Sequence, residues 1–330
     1  MDFHSFLKTY QKREVRTYKN TVPDNPLVSI CVQTYNHEAY IAECLDGLLA
    51  QETTFSFEIL LGEDASTDET RAICMTYAEK YPDKIKLFLH HRENNIKVHG
   101  NPTGRFNFLY NLYQSTGTYI AFCEGDDYWI DPLKLQKQID FLEANQSCVV
   151  SWTNYKSFNG FDFVENQFNF EETNRIINFD TIFSPYCTLT LTVVFKKSAL
   201  MISAINNFEY FKDNTLYAML LQNGDGIFMN FIAAVYREHQ GGVYALKSNY
   251  FKNYSSYLNI REIIELIPKA RTKNMYKVLN SLGNAAAFGA LKLKNKGEML
   301  TDAQLKFMRT YFKHASLRTK FKYFKRQLLK

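Results

Sequence analysis

The 330-residue sequence predicts an α/β fold: a mainly parallel sheet with flanking helices, followed by a helical, basic extension at the C-terminus. Short and almost wholly apolar runs recur along the first half of the chain, as expected of strands buried on both faces. Stretches with helical periodicity separate these runs, and strict strand–helix alternation favours parallel pairing through right-handed crossovers. The extension is predicted from helical periodicity that begins at Ile260 and continues to the end.

Five apolar runs in the first half predict the strands, and a sixth run, in which Thr alternates with apolar residues, predicts another. The strands are expected at 27–32, 57–61, 85–89, 118–123, 148–152 and 189–195. Ser66 and Glu69 have the spacing of a capping box, which predicts the start of one helix. Asp131-Pro132 predicts the start of another, with Asp as N-cap and Pro at the first helical position.

These patterns divide the chain into three parts. Residues 1–25 are polar and basic and are expected to form an extension or short helix outside the main core. Residues 26–245 form the α/β domain, and residues 246–330 form the helical basic region. Within the domain, 158–179 shows no clear period and is expected to be a loop or a hairpin.

Composition excludes several protein classes. A hydrophobic content of 46% argues against wholesale disorder. The sequence contains no stretch of 18 apolar residues, so no membrane span is predicted. The N-terminus lacks the pattern of a secretory signal. Six widely spaced cysteines form neither a CxxC pair nor a zinc pattern. These features are typical of reduced thiols in the cytoplasm, where we expect the protein to act.

The basic tail has more than one interpretation. Between Gly289 and Lys330, 12 Lys and Arg residues accompany two acidic residues. Such a segment can hold a protein peripherally on an anionic membrane, which here would be the inner face of the cell membrane. It can also be a solvated helix face, while nucleic acid is the weakest candidate and is not expected as a partner.

Polar segments follow three predicted strands. They are 33–36 (Gln-Thr-Tyr-Asn), 63–66 (Glu-Asp-Ala-Ser) and 124–127 (Glu-Gly-Asp-Asp). Because the carboxyl ends of parallel strands open onto one edge of the sheet, these loops are expected to meet at a ligand site.

The acidic loop predicts a divalent metal site. Three carboxylates within four residues repel one another, and a cation relieves that repulsion when they are partly buried. Oxygen ligands suit Mg²⁺ or Mn²⁺, so Glu124, Asp126 and Asp127 are candidate ligands, and Gly125 permits the tight turn. The alternative is an acidic surface turn that leads into the Asp131 helix.

The other two loops predict nucleotide contacts. Asp64 can hydrogen-bond a base or ribose, although it can also serve the start of the next helix. Gln33, Tyr35 and Asn36 can line the same pocket with amide and hydroxyl groups. For Asn36, a simple N-cap is an equal alternative.

Three strings together resemble the family-two inverting glycosyltransferases with the GT-A fold. They are PLVSICVQTYN at 26–36, EILLGEDASTD at 58–68 and TGTYIAFCEGDDYW at 116–129, and the resemblance extends to about residue 245. The family usually has Asp at the position of Glu124 and often Gly at that of Ala65. The resemblance implies that Asp64 binds the base, that Asp126 ligates a metal bridging the donor phosphates with help from Glu124 or Asp127, and that Arg105 neutralises the diphosphate.

The same resemblance implies the remaining site residues. An acidic residue before a helix in the later half acts as catalytic base, and Asp213 matches that place, although it can equally be a helix N-cap. Asp225, in an evident turn, is a weaker candidate. The string at 236–242 resembles the loop that closes the catalytic domain, so Arg237 is expected to contact the diphosphate and His239 to bind phosphate or metal. A lone His is otherwise more often structural.

The resulting expectation is a metal-dependent, inverting transfer of a sugar from a nucleotide-sugar, UDP-linked by the resemblance, to an acceptor hydroxyl. The acceptor would be a glycan or lipid-linked glycan of a cell-surface polysaccharide. Two alternatives remain: a nucleotidyltransferase, and a non-catalytic scaffold that binds carbohydrate or nucleotide-sugar. Neither GxGxxG nor GxxxxGK[ST] occurs, which counts against dinucleotide-binding and P-loop enzymes.

Overall fold

The structure is a computed structural model that describes residues 1–98, 101–166, 168, 174–183, 185–239 and 247–328. The chain divides into two compact units. The first comprises Met1–Glu209 and Met219–Glu238, and the second comprises Tyr210–Ala218 and His239–Lys330.

The strands of the described residues all belong to the first unit. They are β1 (Arg16–Thr17), β2 (Val28–Thr34), β3 (Phe57–Glu63), β4 (Ile85–Leu89), β5 (Lys97–Val98), β6 (Asn101–Pro102), β7 (Tyr119–Phe122), β8 (Tyr128–Trp129), β9 (Cys148–Phe158), β10 (Phe163–Glu165), β11 (Asn174–Ile177), β12 (Val194–Lys196) and β13 (Asp225–Arg237).

The helices occur in both units. They are α1 (Phe3–Tyr10), α2 (Ile41–Leu49), α3 (Thr70–Lys80), α4 (Arg105–Gln114), α5 (Lys134–Ala144), α6 (Asp213–Leu221), α7 (Asn249–Leu266), α8 (Lys273–Asn295), α9 (Asp302–His314) and α10 (Leu317–Leu328). Short 3-10 helices span Arg92–Asn94, Thr190–Thr192, Lys197–Ala199, Ile202–Asn207 and Pro268–Ala270.

One large mixed sheet organises the first unit, in the order β1-β4-β3-β2-β7-β12-β9-β13-β11. The neighbours β4, β3, β2 and β7 are mutually parallel, and β9 pairs parallel with β13. The remaining pairs of this sheet are antiparallel, including β8 and β11 on β13. The predicted α/β fold class, with helices flanking a sheet that has a parallel core, is confirmed.

Burial explains why the central strands read as apolar runs. Every residue of β3 is buried, and all but one of β2 are. Helix α4 crosses these strands, where Asn107 Nδ2 donates to the Gly62 carbonyl at 2.7 Å and Asn111 Nδ2 donates to the Val32 carbonyl at 2.9 Å. A Cβ on Gly62 would lie 1.7 Å from Asn107 Oδ1, so the helix can approach this strand only at a glycine.

The structure corrects several sequence expectations. Residues 1–25 contribute α1 and β1 to the first unit, where the Phe6 ring is fully buried and stacks on Phe106 at 5.1 Å. The predicted Ser66 cap is wrong, because α3 begins at Thr70 and Ser66 Oγ instead accepts the backbone N–H of Asn36. The strand expected at 189–195 is a 3-10 turn followed by β12.

The second unit is helical, in agreement with the periodicity of the sequence. Its core contains Tyr250 of α7, Ala287 and Leu291 of α8, and Met308 and Phe312 of α9. Among the described residues, no helix is both long enough and apolar enough to span a membrane.

Candidate functional site

The site lies at β2, where the order of strands along the sheet reverses relative to their order in the chain. Strand β2 has β3 on one side and β7 on the other, and all three run parallel. In such sheets a crevice opens beyond the carboxyl ends of the strands at this switch point. The loops that follow β2, β3 and β7 are the three polar loops of the sequence, so the predicted meeting of these loops is observed.

The first two loops are clasped together by side-chain-to-backbone hydrogen bonds. Asn36 has φ of +54° and accepts the Thr67 N–H at 2.9 Å through Oδ1. His37 donates its backbone N–H to Thr70 Oγ1 at 2.7 Å. Asn36 is not an N-cap, since α2 begins at Ile41. Its side chain instead fixes the shape of the crevice wall.

Asp64 forms the centre of a polar cluster beyond β3. Its side chain is almost fully buried, and Arg92 NH1 donates to Oδ2 at 2.5 Å while Asn95 Nδ2 donates to the same carboxylate at 3.0 Å. The Arg92 guanidinium lies over the Tyr35 ring, 3.9 Å from its centroid. Burial raises the pKa of Asp64 despite these cationic and amide donors.

The third loop packs directly on the first. Gly125 donates its N–H to the Gln33 carbonyl at 2.9 Å, and a Cβ on Gly125 would lie 2.7 Å from Thr34 Oγ1 and 3.0 Å from His37 Nδ1. The Asp126 carboxylate is 3.7 Å from His37 Nε2 and its side chain is 23% exposed. Thr34 Oγ1 lies 3.2 Å from His37 Nδ1. Thr34, His37 and Asp126 thus form a chain of polar contacts along the crevice.

Asp127 and Arg237 fix the position of the third loop. The buried Asp127 carboxylate accepts the Arg237 backbone N–H at 2.8 Å, and Arg237 NH1 donates to the Asp126 carbonyl at 2.7 Å. The guanidinium also pairs with Glu43 and lies 4.2 Å from the Tyr128 ring centroid. Burial, then repulsion by Asp126, raises the pKa of Asp127 well above its usual range. These contacts give both residues a role in positioning the loop.

The other predicted residues occupy separate places. Arg105 is the first residue of α4, and its NH2 donates to the Glu209 carbonyl at 3.3 Å. Asp213 is the first residue of α6 and His239 follows β13, and both belong to the second unit. Asp225 opens β13. Gln240, Gly241 and Gly242, the end of the predicted closing loop, lie outside the described residues.

The side chains at the crevice suit a divalent cation whose remaining ligands come from a substrate phosphate. Over the described part of the chain, no three His, Cys, Asp or Glu residues are grouped to hold a metal by themselves. Mg²⁺ sites commonly use one or two carboxylates together with substrate phosphates. The partly exposed Asp126 carboxylate and the nearby His37 nitrogen fit such a site, and Glu124 is close in sequence.

Sequence reasoning missed His37, Arg92 and Glu43. His37 follows the first polar loop by one residue, which was the available signal, but a lone His carries little information. Arg92 lies 28 residues beyond Asp64, and Glu43 lies 194 residues before Arg237, so their pairing depends on the tertiary fold.

The chain is similar in sequence and in fold to several known proteins. An uncharacterised protein of Mycobacterium tuberculosis is 45% identical over 123 residues, which are 37% of this chain and 33% of that protein. The crystal structure of Staphylococcus aureus TarS 1–349 with UDP-GlcNAc has a TM-score of 0.59 at 20% identity, covering 88% of this chain and 82% of that one. The mannosyltransferase PcManGT of Pyrobaculum calidifontis, solved with GDP-Man and Mn²⁺, has a TM-score of 0.55 at 14% identity over 99% and 86% of the two chains.

These structural likenesses show the shared fold, and the matched sequence spans about a third of the length of the mycobacterial relative. The family model for "Glycosyl transferase family 2" matches residues 29–201, slightly more than half of the chain. That match contains the loops after β2, β3 and β7 that build the crevice, and the chain therefore belongs to glycosyl transferase family 2.

Proposed function

We propose that this protein transfers a sugar from a UDP-sugar to an acceptor hydroxyl with inversion at the anomeric carbon, in the synthesis of a cell-surface polysaccharide. The observation that carries the proposal is the placement of Asp126 at the β2–β7 switch point, beside His37 and against the loop after β2. A carboxylate held there faces the crevice in which this type of sheet binds nucleotides.

The donor nucleotide would occupy the crevice formed by the first two loops. Asp64 would bind the base, Tyr35 would offer a ring surface, and Gln33 and Asn36 would line the wall. The existing Arg92–Asp64 and Arg92–Tyr35 contacts support this assignment, since they hold a flat ring and a carboxylate side by side. The family's fold neighbour TarS, solved with UDP-GlcNAc, supports a uridine donor.

The diphosphate would lie near the third loop. Asp126, Glu124 and His239 are the proposed ligands of Mn²⁺ or Mg²⁺, while Asp127 assists by fixing the loop through Arg237. When bound, the cation would neutralise charge on the departing diphosphate. Arg105 and Arg237 would contribute positive charge to the same group, and Gly125 lets the loop approach Thr34.

Asp213 is the proposed catalytic base. It is the first residue of α6, which matches the place before a helix in the later half of the chain that the family resemblance gives to the base. As a base, it would accept the proton of the acceptor hydroxyl while that oxygen attacks the anomeric carbon and the nucleoside diphosphate departs. A single displacement without a covalent intermediate inverts the anomeric configuration.

The cysteines and one relative support the proposed compartment and acceptor. All six cysteines are buried and unpaired, which suits the reducing cytoplasm. The S. aureus relative, a poly(ribitol-phosphate) β-N-acetylglucosaminyltransferase, is 33% identical over 123 residues, 37% of this chain and 20% of that protein. A surface glycan or its lipid-linked precursor is therefore the proposed acceptor, and no nucleic acid partner is proposed.

Product analysis tests the proposal. Incubation with UDP-sugars and Mn²⁺ should release UDP, and Asp126→Asn should reduce the rate about 100-fold or more by removing one metal-binding charge. Asp162→Asn, in an exposed turn of the same unit, is the matched control and should leave the rate unchanged.

Two other products would contradict the proposal. Release of pyrophosphate in place of nucleoside diphosphate would indicate a nucleotidyltransferase. Binding of UDP-sugar without turnover by any acceptor or by water would indicate a carbohydrate-binding scaffold.

A further inference from the structure

Among the side chains of α10 that the structure describes, Thr319 and Tyr323 contact the rest of the second unit. The Tyr323 ring stacks on Phe312 with ring centroids 4.0 Å apart, and Thr319 Oγ1 hydrogen-bonds Asn284 Oδ1 at 3.3 Å. Thr319 and Tyr323 are four residues apart, so they lie on the same side of the helix. This side is the one that docks on α8 and α9.

The opposite side carries large apolar side chains. Leu317, Phe321 and Phe324 are 85%, 71% and 59% exposed. Their spacing of four and then three residues places them in a single stripe, which we call the outer stripe. A helix normally buries its apolar stripe in the core. Helix α10 instead packs on α8 and α9 through Thr319 and Tyr323 and leaves the outer stripe exposed. Clustered exposed apolar surface of this kind marks a binding surface.

Helix α10 is also rich in basic residues. The sequence of α10 contains five basic residues and no acidic one: Arg318, Lys320, Lys322, Lys325 and Arg326. Arg318 and Lys322 are exposed and, with Ser316, Thr319 and Asn284, line a cleft of about 660 Å³. Cationic side chains and hydroxyl groups of this kind can receive a phosphate group.

We propose that α10 is a membrane-surface helix that inserts the outer stripe into an anionic lipid bilayer, with lipid phosphates held at Arg318 and Lys322. A bilayer satisfies both properties at once, because its anionic headgroups attract the basic residues and its acyl region accepts Leu317, Phe321 and Phe324. Nucleic acid would use the charge but leave the apolar stripe in water. A second copy of the chain would bring a like-charged tail against this one.

This inference is independent of the proposed sugar transfer. Soluble donor hydrolysis needs no membrane, so the variants below should hydrolyse UDP-sugar at the rate of the unmodified chain. Failure of vesicle binding and failure of donor hydrolysis are therefore separate results.

Vesicle co-sedimentation of the full chain tests the proposal. The protein should sediment with phosphatidylglycerol–phosphatidylcholine vesicles, and much less with pure phosphatidylcholine. Phe321→Ser combined with Phe324→Ser should weaken binding at least about tenfold through lost apolar burial. Arg318→Gln combined with Lys322→Gln should weaken it about tenfold in low salt, with a smaller difference when salt screens the charges.

Matched controls separate the helix from general surface properties. Phe161→Ser combined with Phe163→Ser removes two exposed aromatic rings from the first unit and should not change binding. Lys273→Gln combined with Lys277→Gln removes two exposed charges from α8 and should change binding little. All substituted positions are exposed, and circular dichroism verifies that each variant is folded.

Three results would overturn the proposal. The first is equal sedimentation of the α10 variants and the unmodified chain. The second is binding to a single-stranded oligonucleotide without binding to anionic vesicles. The third is a concentration-dependent dimer, seen by light scattering, that disappears in the Phe321/Phe324 variant while vesicle binding is absent.

Discussion

At the scale of single residues, the acidic loop depends on one close backbone approach. Gly125 lies so near the loop after β2 that a Cβ would be 2.7 Å from both Cβ and Oγ1 of Thr34. Substitution must therefore displace either Thr34 or the acidic loop, and with it the Asp126–His37 contact at 3.7 Å. The φ angle of Gly125 is not positive, so its backbone conformation does not require a glycine. The requirement comes from the close approach to Thr34.

Gly125→Ala should consequently destabilise the protein by about 1–3 kcal/mol and reduce donor hydrolysis at least about tenfold, since overpacking shifts the surrounding backbone. Urea unfolding and UDP release measure the two effects. Gly104→Ala, where the added Cβ meets nothing within 4 Å, is the matched control and should alter neither. Wild-type activity in Gly125→Ala would show that the approach of the two loops is unimportant.

His90, directly after β4, is a second residue with a measurable consequence. Its ring is enclosed by Phe106 and Tyr110, with centroids 5.6 and 5.0 Å away, and neither ring nitrogen has a hydrogen-bond partner. Burial, followed by the nearby Arg71, lowers the pKa of His90 to about 3. The neutral ring is therefore the form that the folded protein contains near neutral pH.

Because this pKa is lower in the folded state than in the unfolded chain, only the unfolded chain takes up a proton as the pH falls below about 6.5. The contribution of neutral His90 is present above that pH and is lost progressively toward pH 3. Between pH 7 and pH 5 the free energy of unfolding should fall by about 2 kcal/mol from this group. Urea titrations of His90→Phe should lack that component, while the exposed His4→Phe should retain it. Identical pH dependence in His90→Phe and the unmodified chain would exclude the assignment.

At the scale of secondary-structure elements, the sequence predicts buried parallel strands well and irregular ones poorly. β2, β3 and β4 are buried along almost their whole length, so each appears as a mainly apolar run, broken only by Ser29, Glu58 or Lys86, with nearly correct bounds. The parallel arrangement of β2, β3 and β7 made the meeting of the three loops predictable as well. The carboxyl ends of parallel neighbours share an edge whatever the side chains are.

β13 was not predicted, for a physical reason. The strand is 13 residues long, but its register against β9 shifts between Met229 and Ile232 and again before Ala234. These irregularities interrupt the two-residue alternation, and the exposed Asn230 lies within them. The anchoring of Asp127 by the Arg237 end of β13 was therefore hidden as well, since it joins residues 110 positions apart.

Helix starts show another limit of local sequence. Ser66 and Glu69 have the spacing of a capping box, yet the side chains of this segment serve the neighbouring loop. Ala65 adopts φ of +56°, a conformation that favours glycine and explains why glycine is common at this position in the family. A tertiary contact between two loops has here replaced local helix capping.

At the scale of the whole molecule, the chain combines a sheet-edge crevice in the first unit with a helical second unit. The crevice is built from backbone fixed in a sheet, with Asp64, Asp126 and His37 held by neighbours that are themselves hydrogen-bonded. Such preorganisation is what charge stabilisation in a reaction requires. The excess positive charge of the chain is concentrated in the helical unit, at some distance in sequence from the acidic loop.

We expect Asp126 to bind a divalent cation, which in turn binds the diphosphate of a sugar nucleotide. Isothermal titration calorimetry of the full chain with UDP, with and without Mn²⁺, tests it most directly. Binding should be at least about tenfold tighter with Mn²⁺ in the unmodified chain, and that gain should vanish in Asp126→Asn but persist in Asp162→Asn. Equal UDP affinity with and without Mn²⁺ in the unmodified chain, or an undiminished Mn²⁺ effect in Asp126→Asn, would contradict the claim.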